Sequence, residues 1–470
     1  MMDLRADAKA IFMAGVDRVI PDRLLSWALS YDGRVLKAYD GKTSRYYDLE
    51  QYERILLAAF GKASVPMAVH LVSLLEDRIS EGVVVTKAPE GSGMAVEPWA
   101  RDLLAARSVR VMEAGHPVPD SRSVAAGKEL NSLAHRASEW QKRGSRVLMV
   151  VLISGGGSAL VSCPADGISP EDKSAVTRLL LACGASIHEL NTVRKHLSSF
   201  KGGLFARSLF PAEGLALVLS DVIDDDLDVI ASGPTVPDRS TWADTAAIFQ
   251  RYNLEEAIPE SIASRIRDGL AGKIPETPKP GDPAFESLNT MLIGTNYHAI
   301  IEAEKKAQEL GYRTLVLGTQ LSGEAREIAR VFSGAAKDIL RHGLPLSPPA
   351  CIIAGGETTV TVRGRGRGGR NQEMALSFVE ALQKFPAGIA DQRERILFLS
   401  AGTDGNDGPT DAAGAFADAS VLRTAMDRSL NPAQYLADNN SHAFFDATGG
   451  LLRTGPTGTN VCDIQILLVR

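Results

Sequence analysis

One repeated alternation constrains this chain more than any other feature. Strand-length runs of β-branched and apolar residues end in glycine, serine, aspartate or another turn-former, and a helical pattern then follows most of them. The clearest runs are Arg54–Phe60, Val83–Thr86, Val109–Glu113, Val147–Ile153 and Leu215–Leu219, with helical stretches such as Ser64–Ile79 and Ser121–Arg143 between them. Strands that alternate with helices lie side by side in a mostly parallel sheet with helices on both faces. The alternation resumes late in the chain, with strands at Met291–Gly294, Thr314–Leu317, Cys351–Val362, Ile396–Ser400 and Ile464–Val469. Helices are expected there at His298–Leu310 and Glu324–His342, and another at Asp7–Val19, before Pro21. The expected fold is α/β in two domains, each a mostly parallel sheet flanked by helices.

The two blocks are separated by Lys273–Pro283, where four prolines in eleven residues exclude regular structure. The expected division is a first domain over residues 1–240, a helical and proline-rich connector over 241–285, and a second domain over 286–470. A length of 470 residues suits two or three domains, and 44% hydrophobic with 23% charged residues is a globular balance. A formal net charge of −6 argues against a general nucleic-acid binder. Cys163, Cys183, Cys351 and Cys462 are too scattered for a disulfide framework or a cysteine zinc site, and read as small buried residues in a reducing compartment. Charged residues interrupt the first turns, and no apolar run reaches membrane length, so a cytoplasmic protein without a membrane partner is expected.

Ligands of open parallel sheets bind beyond the carboxyl ends of the strands. After Val147–Ile153 come Ser154, Gly155, Gly156, Gly157 and Ser158, a loop whose bare backbone can converge on an anion, or simply turn from strand to helix. It lacks the lysine of a Walker loop. After Arg54–Phe60 comes Gly61-Lys62, an ammonium at a strand-to-helix junction that can reach phosphate oxygens. The segment Arg363–Arg370 interleaves four arginines with glycines just before a helix, a concentration of guanidinium suited to carboxylate or phosphate.

Two acidic loops follow strands. Asp221 to Asp226 follow Leu215–Leu219, and Thr403 to Asp411 follow Ile396–Ser400, without calcium-loop spacing. Such loops can hold magnesium through one or two carboxylates or place a base near a hydroxyl, while capping a helix is the ordinary use of any single aspartate. Asp225 and Asp407 are the candidate metal ligands, and Asp221 and Asp404 the candidates for catalysis. Asn191, Arg194 and Lys195 share a helix face, which either lines a cleft or is simply solvated. Arg194, Lys195 and Asn371 are the substrate-binding candidates. His116, in a rigid Gly-His-Pro turn, reads as structural.

Together these stretches resemble the class II glycerate kinases, whose C-terminal half carries a MOFRL region. The resemblance rests on Ser154–Leu160, Asn191–Ser198, Ile230–Thr235, Gly368–Glu373, Thr403–Thr410 and Thr454–Asn460, spread over nearly the whole chain. It implies a Rossmann-like N-terminal domain, an active-site cleft between two α/β domains, and transfer of the ATP γ-phosphoryl group to the 2-hydroxyl of glycerate with Mg2+. It also implies that Lys62 contacts phosphate, that Arg370 faces it, and that Asp221 is an acidic site position, in a monomer or homodimer. The family usually has glycine where this chain has Asp224. Two other classes remain open on the residues. A hydroxypyruvate reductase would need a dinucleotide fingerprint, which Gly364–Gly369 does not match in spacing. A non-catalytic organic-acid binder would not need so many metal-capable aspartates.

Overall fold

The structure is a computed structural model that describes residues 3–89 and 96–470. The chain forms two compact units, one of Leu24–Ile293 and one of Gly294–Arg470 together with the chain up to Arg23.

The first unit is built on strands β1 (Arg54–Phe60), β2 (Ile79–Lys87), β3 (Val109–Ala114), β4 (Val147–Ile153), β5 (Glu213–Leu219) and β6 (Leu288–Gly294). They form one six-stranded sheet in the order β3-β2-β1-β4-β5-β6. The pairs β1/β2, β2/β3, β1/β4 and β4/β5 are all parallel. Every residue of β4 is buried, as expected of a central parallel strand covered on both faces. The helix Ser121–Lys142 lays Ala126, Leu130, Leu133, Ala134 and Ala137 on that core, each leucine contributing roughly 2 kcal/mol by burial. It starts in a capping box in which Asp120 accepts from Ser123 N. A small antiparallel meander, Leu29–Tyr31, Val35–Tyr39 and Ser44–Asp48, has no counterpart among the sequence expectations, because its polar and aromatic residues carry no long apolar run.

Residues 241–285 are part of this unit. The helices Trp242–Arg251 and Glu260–Leu270 bury Trp242, Phe249, Ile262 and Ile266 against Val176, Leu180, Leu190 and Val193. The proline-rich stretch contains no helix or strand before Pro283, yet it is strapped down. Thr277 Oγ1 donates to Asp238 at 2.7 Å, and Asp238 N to the Pro278 carbonyl at 2.9 Å. The division falls at Ile293, after β6 has joined the first sheet.

The second unit contains β7 (Arg313–Leu321), β8 (Ala350–Gly356), β9 (Ile396–Gly402), β10 (Gly414–Asp418), β11 (Leu451–Leu452) and β12 (Asp463–Val469), in the order β7-β8-β12-β9-β10-β11. Only β7/β8 is a parallel pair; the last strand inserts antiparallel between β8 and β9, which makes the sheet mixed rather than mostly parallel. The expected strand Cys351–Val362 stops at Gly356, because the following residues leave the sheet. The first helix, Leu4–Val19, belongs here: Gly15 lies so close to the Ala299 carbonyl that a Cβ would stand 2.8 Å from it. Cys163, Cys351 and Cys462 are buried and Cys183 is partly exposed; all four are free thiols. No helix among the described residues is long and apolar enough to cross a membrane.

Candidate active site

In the first sheet the chain runs outward from β1 to β3, then returns to start the other half at β4. The loops after β1 and β4 therefore open side by side at the point where strand order reverses, where such sheets bind ligands. Phe60 pairs with Ile153, so Gly61-Lys62 and the Ser154–Ser158 loop leave in register. Lys62 N donates to the Gly155 carbonyl at 2.8 Å, and Ala63 N to Ser154 Oγ at 3.0 Å. Ser154 is thus a buried tie between the two loops. The Lys62 side chain is exposed.

The glycines are required by what crowds them. A Cβ on Gly155 would lie 1.8 Å from Asp221 Oδ2, and one on Gly156 would lie 3.0 Å from His116 Nε2 and 3.2 Å from Lys62 Cγ. Gly156 also has φ +81°, a left-handed backbone that favours glycine. Lys62, the glycine loop, Asp221 and His116 accordingly share one small space. His116, in a turn that reads as structural in the sequence, lies in this space as well, in the loop directly after β3.

The other candidates of this unit are used differently. Ser158 Oγ accepts from Lys201 Nζ at 2.9 Å and lies 2.9 Å from Ser232 Oγ, which donates to Asn191 Oδ1 at 3.0 Å. Lys195 is buried and ion-paired to Asp228 and, at 3.3 Å, to Asp238. It ties the helix Ile187–His196 to the 228–238 loop, so its charge is spent inside the protein. Arg194, the residue just before it, has its pKa lowered by burial. Asp225 is half-buried with φ +53°, and burial, then the charge of Asp224, raises its pKa, with a Ser220 hydrogen bond opposing. Asp224 has φ +70°, a left-handed backbone that favours glycine.

In the second unit a pocket of about 440 Å³ is lined by Thr358, Arg370, Asp404, Asn406, Asp407 and neighbouring backbone. Arg370 opens the helix Arg370–Gln383. Its Nε and Nη2 donate to the two oxygens of Asp463 at 2.6 and 2.9 Å, and Nη1 donates to Glu357 at 2.5 Å. Burial works against the charge, but the Asp463 hydrogen bonds and the surrounding carboxylates outweigh it and hold the guanidinium charged. Thr358 Oγ1 is buried without a hydrogen-bond partner beside it. Asp404 caps its own loop, accepting from Asn406 N at 3.0 Å.

Asp407 and Asn371 turn inward. The Asp407 carboxylate accepts from Asn371 N, Gln372 N, Asn371 Nδ2 and Gln372 Nε2 at 2.9 to 3.2 Å. It caps the helix from a distant loop, the ordinary use of an aspartate. Burial pushes its pKa up to about 6, against the amide donors. Asn371 Oδ1 accepts from Ser400 Oγ at 2.6 Å, so that side chain is engaged at both ends. Among the described residues no three His, Cys, Asp or Glu side chains converge as a metal site. Magnesium, which binds through one or two carboxylates plus phosphates, needs no such cage.

The arginine-glycine segment is anchored on one side. Arg363 N, Gly364 N, Arg365 N and Arg367 N donate to Asn439, Asp438 and Asn440 side chains at 2.7 to 3.3 Å. A Cβ on Gly364 would stand 2.2 Å from the Asp438 carbonyl, while Arg363, Arg365 and Arg367 are exposed.

Fold and site together define a two-unit α/β protein that gathers cationic and acidic side chains at the carboxyl ends of its strands. Residues 7–267 match a domain family of unknown function, DUF4147, and residues 350–463 match the MOFRL family. A glycerate 2-kinase from Pyrococcus horikoshii is 38% identical over 88% of this chain and 87% of its own length. The crystal structure of a glycerate kinase from Thermotoga maritima matches with a TM-score of 0.82 at 38% identity, over 99% of both chains. A protein from Agrobacterium vitis, provisionally named a hydroxypyruvate reductase, is 41% identical over 88% of this chain and 87% of its own. The chain belongs to the glycerate 2-kinase family, with a DUF4147 region followed by a MOFRL region.

Proposed function

We propose that this protein is an ATP-dependent glycerate 2-kinase, forming 2-phosphoglycerate and ADP. The observation that carries the reading is the meeting of Lys62, Gly155, Gly156 and Asp221 where the strand order of the first sheet reverses. Phosphoryl transfer is catalysed mainly by positioning and by neutralising charge. Lys62 is exposed and free to reach phosphate oxygens, and the bare glycine backbone lets phosphate approach closely. Arg370 keeps a fixed guanidinium in its pocket with three of its five N–H donors spent on Asp463 and Glu357.

In the reaction the oxygen of the 2-hydroxyl bonds to the γ-phosphorus. The bond from that phosphorus to the β,γ-bridging oxygen breaks, and its electrons leave with ADP. The hydroxyl proton passes to a carboxylate, for which Asp221 and Asp404 are the candidates. Mg2+, when bound, supplies charge neutralisation on the phosphates. Asp225, half-buried beside Asp224, is a carboxylate able to assist it, whereas Asp407 serves by fixing the start of the helix that carries Arg370.

The reductase reading has the Agrobacterium relative's name in its favour. Against it, the backbone N–H groups of Arg363–Arg367, which a dinucleotide phosphate would need, are already taken by Asp438, Asn439 and Asn440. Incubating the protein with D-glycerate, ATP and Mg2+ and following the phosphorus NMR spectrum tests the proposal. 2-Phosphoglycerate is the expected product. NADH-dependent reduction of hydroxypyruvate without ATP turnover would overturn it.

A further inference from the structure

Charges buried in proteins are paired as a rule, because an uncompensated one loses its hydration without return. The first unit follows this rule at Lys195, which has both Asp228 and Asp238. It breaks the rule at three other cations. Lys173, in the first turn of the helix Pro170–Ala182, is 8% exposed, and its Nζ has no hydrogen-bond partner. Lys201 is 2% exposed and spends its Nζ on two neutral oxygens, the Ser158 carbonyl at 3.0 Å and Ser158 Oγ at 2.9 Å. Arg194 is half-buried and makes no ion pair among the described residues, and burial lowers its pKa.

Backbone pairing brings the segments that carry them side by side. Ser199 N donates to the Cys163 carbonyl at 3.0 Å and Ala165 N to the Leu197 carbonyl at 3.2 Å, so the approach to the Lys173 helix runs beside the turn from Arg194 to Lys201. The cations feel one another. Burial and then the charges of Lys173 and Arg194 push the Lys201 pKa well below its usual value. Burial lowers that of Lys173 to about 8, with Arg194 adding to the effect. Cys163, the neighbour that would favour their charge, is a thiol whose own pKa burial raises.

We infer that Lys173, Arg194 and Lys201 form an anion pocket that takes the carboxylate of the hydroxy-acid substrate. This rests on the proposed function and adds the site of the acid group. Lys201 holds Ser158, the residue directly after the glycines that crowd against Lys62, His116 and Asp221. In a 2-hydroxy acid the carboxylate is bonded to the carbon that bears the reacting hydroxyl, so its site must adjoin the phosphoryl-transfer site. The two buried lysines supply charge, and Arg194, the more exposed of the three, brings a planar fork that can close on both carboxylate oxygens. Such a pocket is destabilising until the anion arrives, a common cost of a binding site.

The test is calorimetric titration without ATP, using D-glycerate, glycerol and inorganic phosphate as separate probes on the parent, Lys173→Met and Arg194→Gln. The parent should bind glycerate and not glycerol. Each variant should bind glycerate at least about 30-fold more weakly, the scale of a lost buried charge partner. In turnover the KM for glycerate should rise while the KM for ATP stays within about twofold, the signature of lost substrate binding. Lys173→Met should unfold at or above the parent's temperature, since it removes an unpaired buried charge. A Lys173→Met or an Arg194→Gln protein with unchanged glycerate affinity would overturn the inference. Phosphate binding that Lys173→Met abolishes, with no glycerate binding, would overturn the carboxylate assignment. Glycerate binding that both variants lose in a protein that forms no phosphoglycerate would uphold the pocket and reject the kinase reading.

Discussion

Asp463 holds Arg370 by both carboxylate oxygens, 93 residues apart in sequence, and the aspartate side chain is fully buried. The guanidinium is thereby fixed in plane, with Glu357 on its third donor. A lysine can supply charge at that place but not the planar fork. Arg370→Lys is expected to lower kcat/KM by about 100-fold, measured by steady-state ADP release. Asp463→Asn should cost about 3 kcal/mol in urea unfolding, because it removes the buried bidentate charge partner of a half-buried cation and leaves it only Glu357.

Asp221 lies against the glycine loop and Asp404 lines the pocket beside Arg370. If they handle the hydroxyl proton or the metal, Asp221→Asn and Asp404→Asn should each lower kcat by at least about 100-fold. Circular dichroism should show both still folded. Near-normal turnover in the pair of variants would remove these roles.

Much of the first sheet was legible because its strands obey local rules. Ile55–Phe60 and Val147–Ile153 are continuous apolar runs ended by glycine or serine, and the structure ends both strands at those residues. Lys62 and the glycine loop stand out in the sequence because they directly follow such strands, where ligand loops lie. What stayed hidden was which way a polar side chain turns. Lys195, Asn371 and Asp407 look like ligands in sequence, yet their partners are Asp228, Ser400 and the start of a helix, all brought close only by folding. Asp463 was missed for the same reason. The first helix shows an apolar face at Ala8, Ile11, Phe12 and Gly15 that periodicity can reveal, but nothing local says that Gly294–Arg470 is the unit it joins.

Asp407 gives a pH dependence with a definite sign. Its folded pKa of about 6 lies above the usual 3.8, so the proton is bound more tightly in the folded protein. That contribution to stability is fully present below about pH 4 and is lost as pH rises through about 6. Asp407→Asn cannot titrate there. The variant should therefore gain stability relative to the parent between pH 4 and pH 7, by an amount on the order of 2 kcal/mol. Urea midpoints at several pH values measure it; a constant difference would place the Asp407 pKa near its ordinary value.

The loop after β5 carries a strain that a single substitution should expose. Asp224 and Asp225 have φ of +70° and +53°, and their carboxylates repel, which adds to the rise in the Asp225 pKa caused first by burial. Aspartate tolerates a left-handed backbone better than most residues, and a β-branched residue tolerates it least. Glycine adopts it freely but loses more chain entropy on folding, so the two effects oppose each other in Asp224→Gly. That variant should remain within about 1 kcal/mol of the parent. Asp224→Val, with the same backbone to satisfy, should lose about 2 kcal/mol. Urea unfolding of both gives the difference directly, and an NMR titration of Asp225 should show its pKa moving down in either variant as the like charge disappears. Equal stability of the valine and glycine variants would mean that this loop does not hold its left-handed turn.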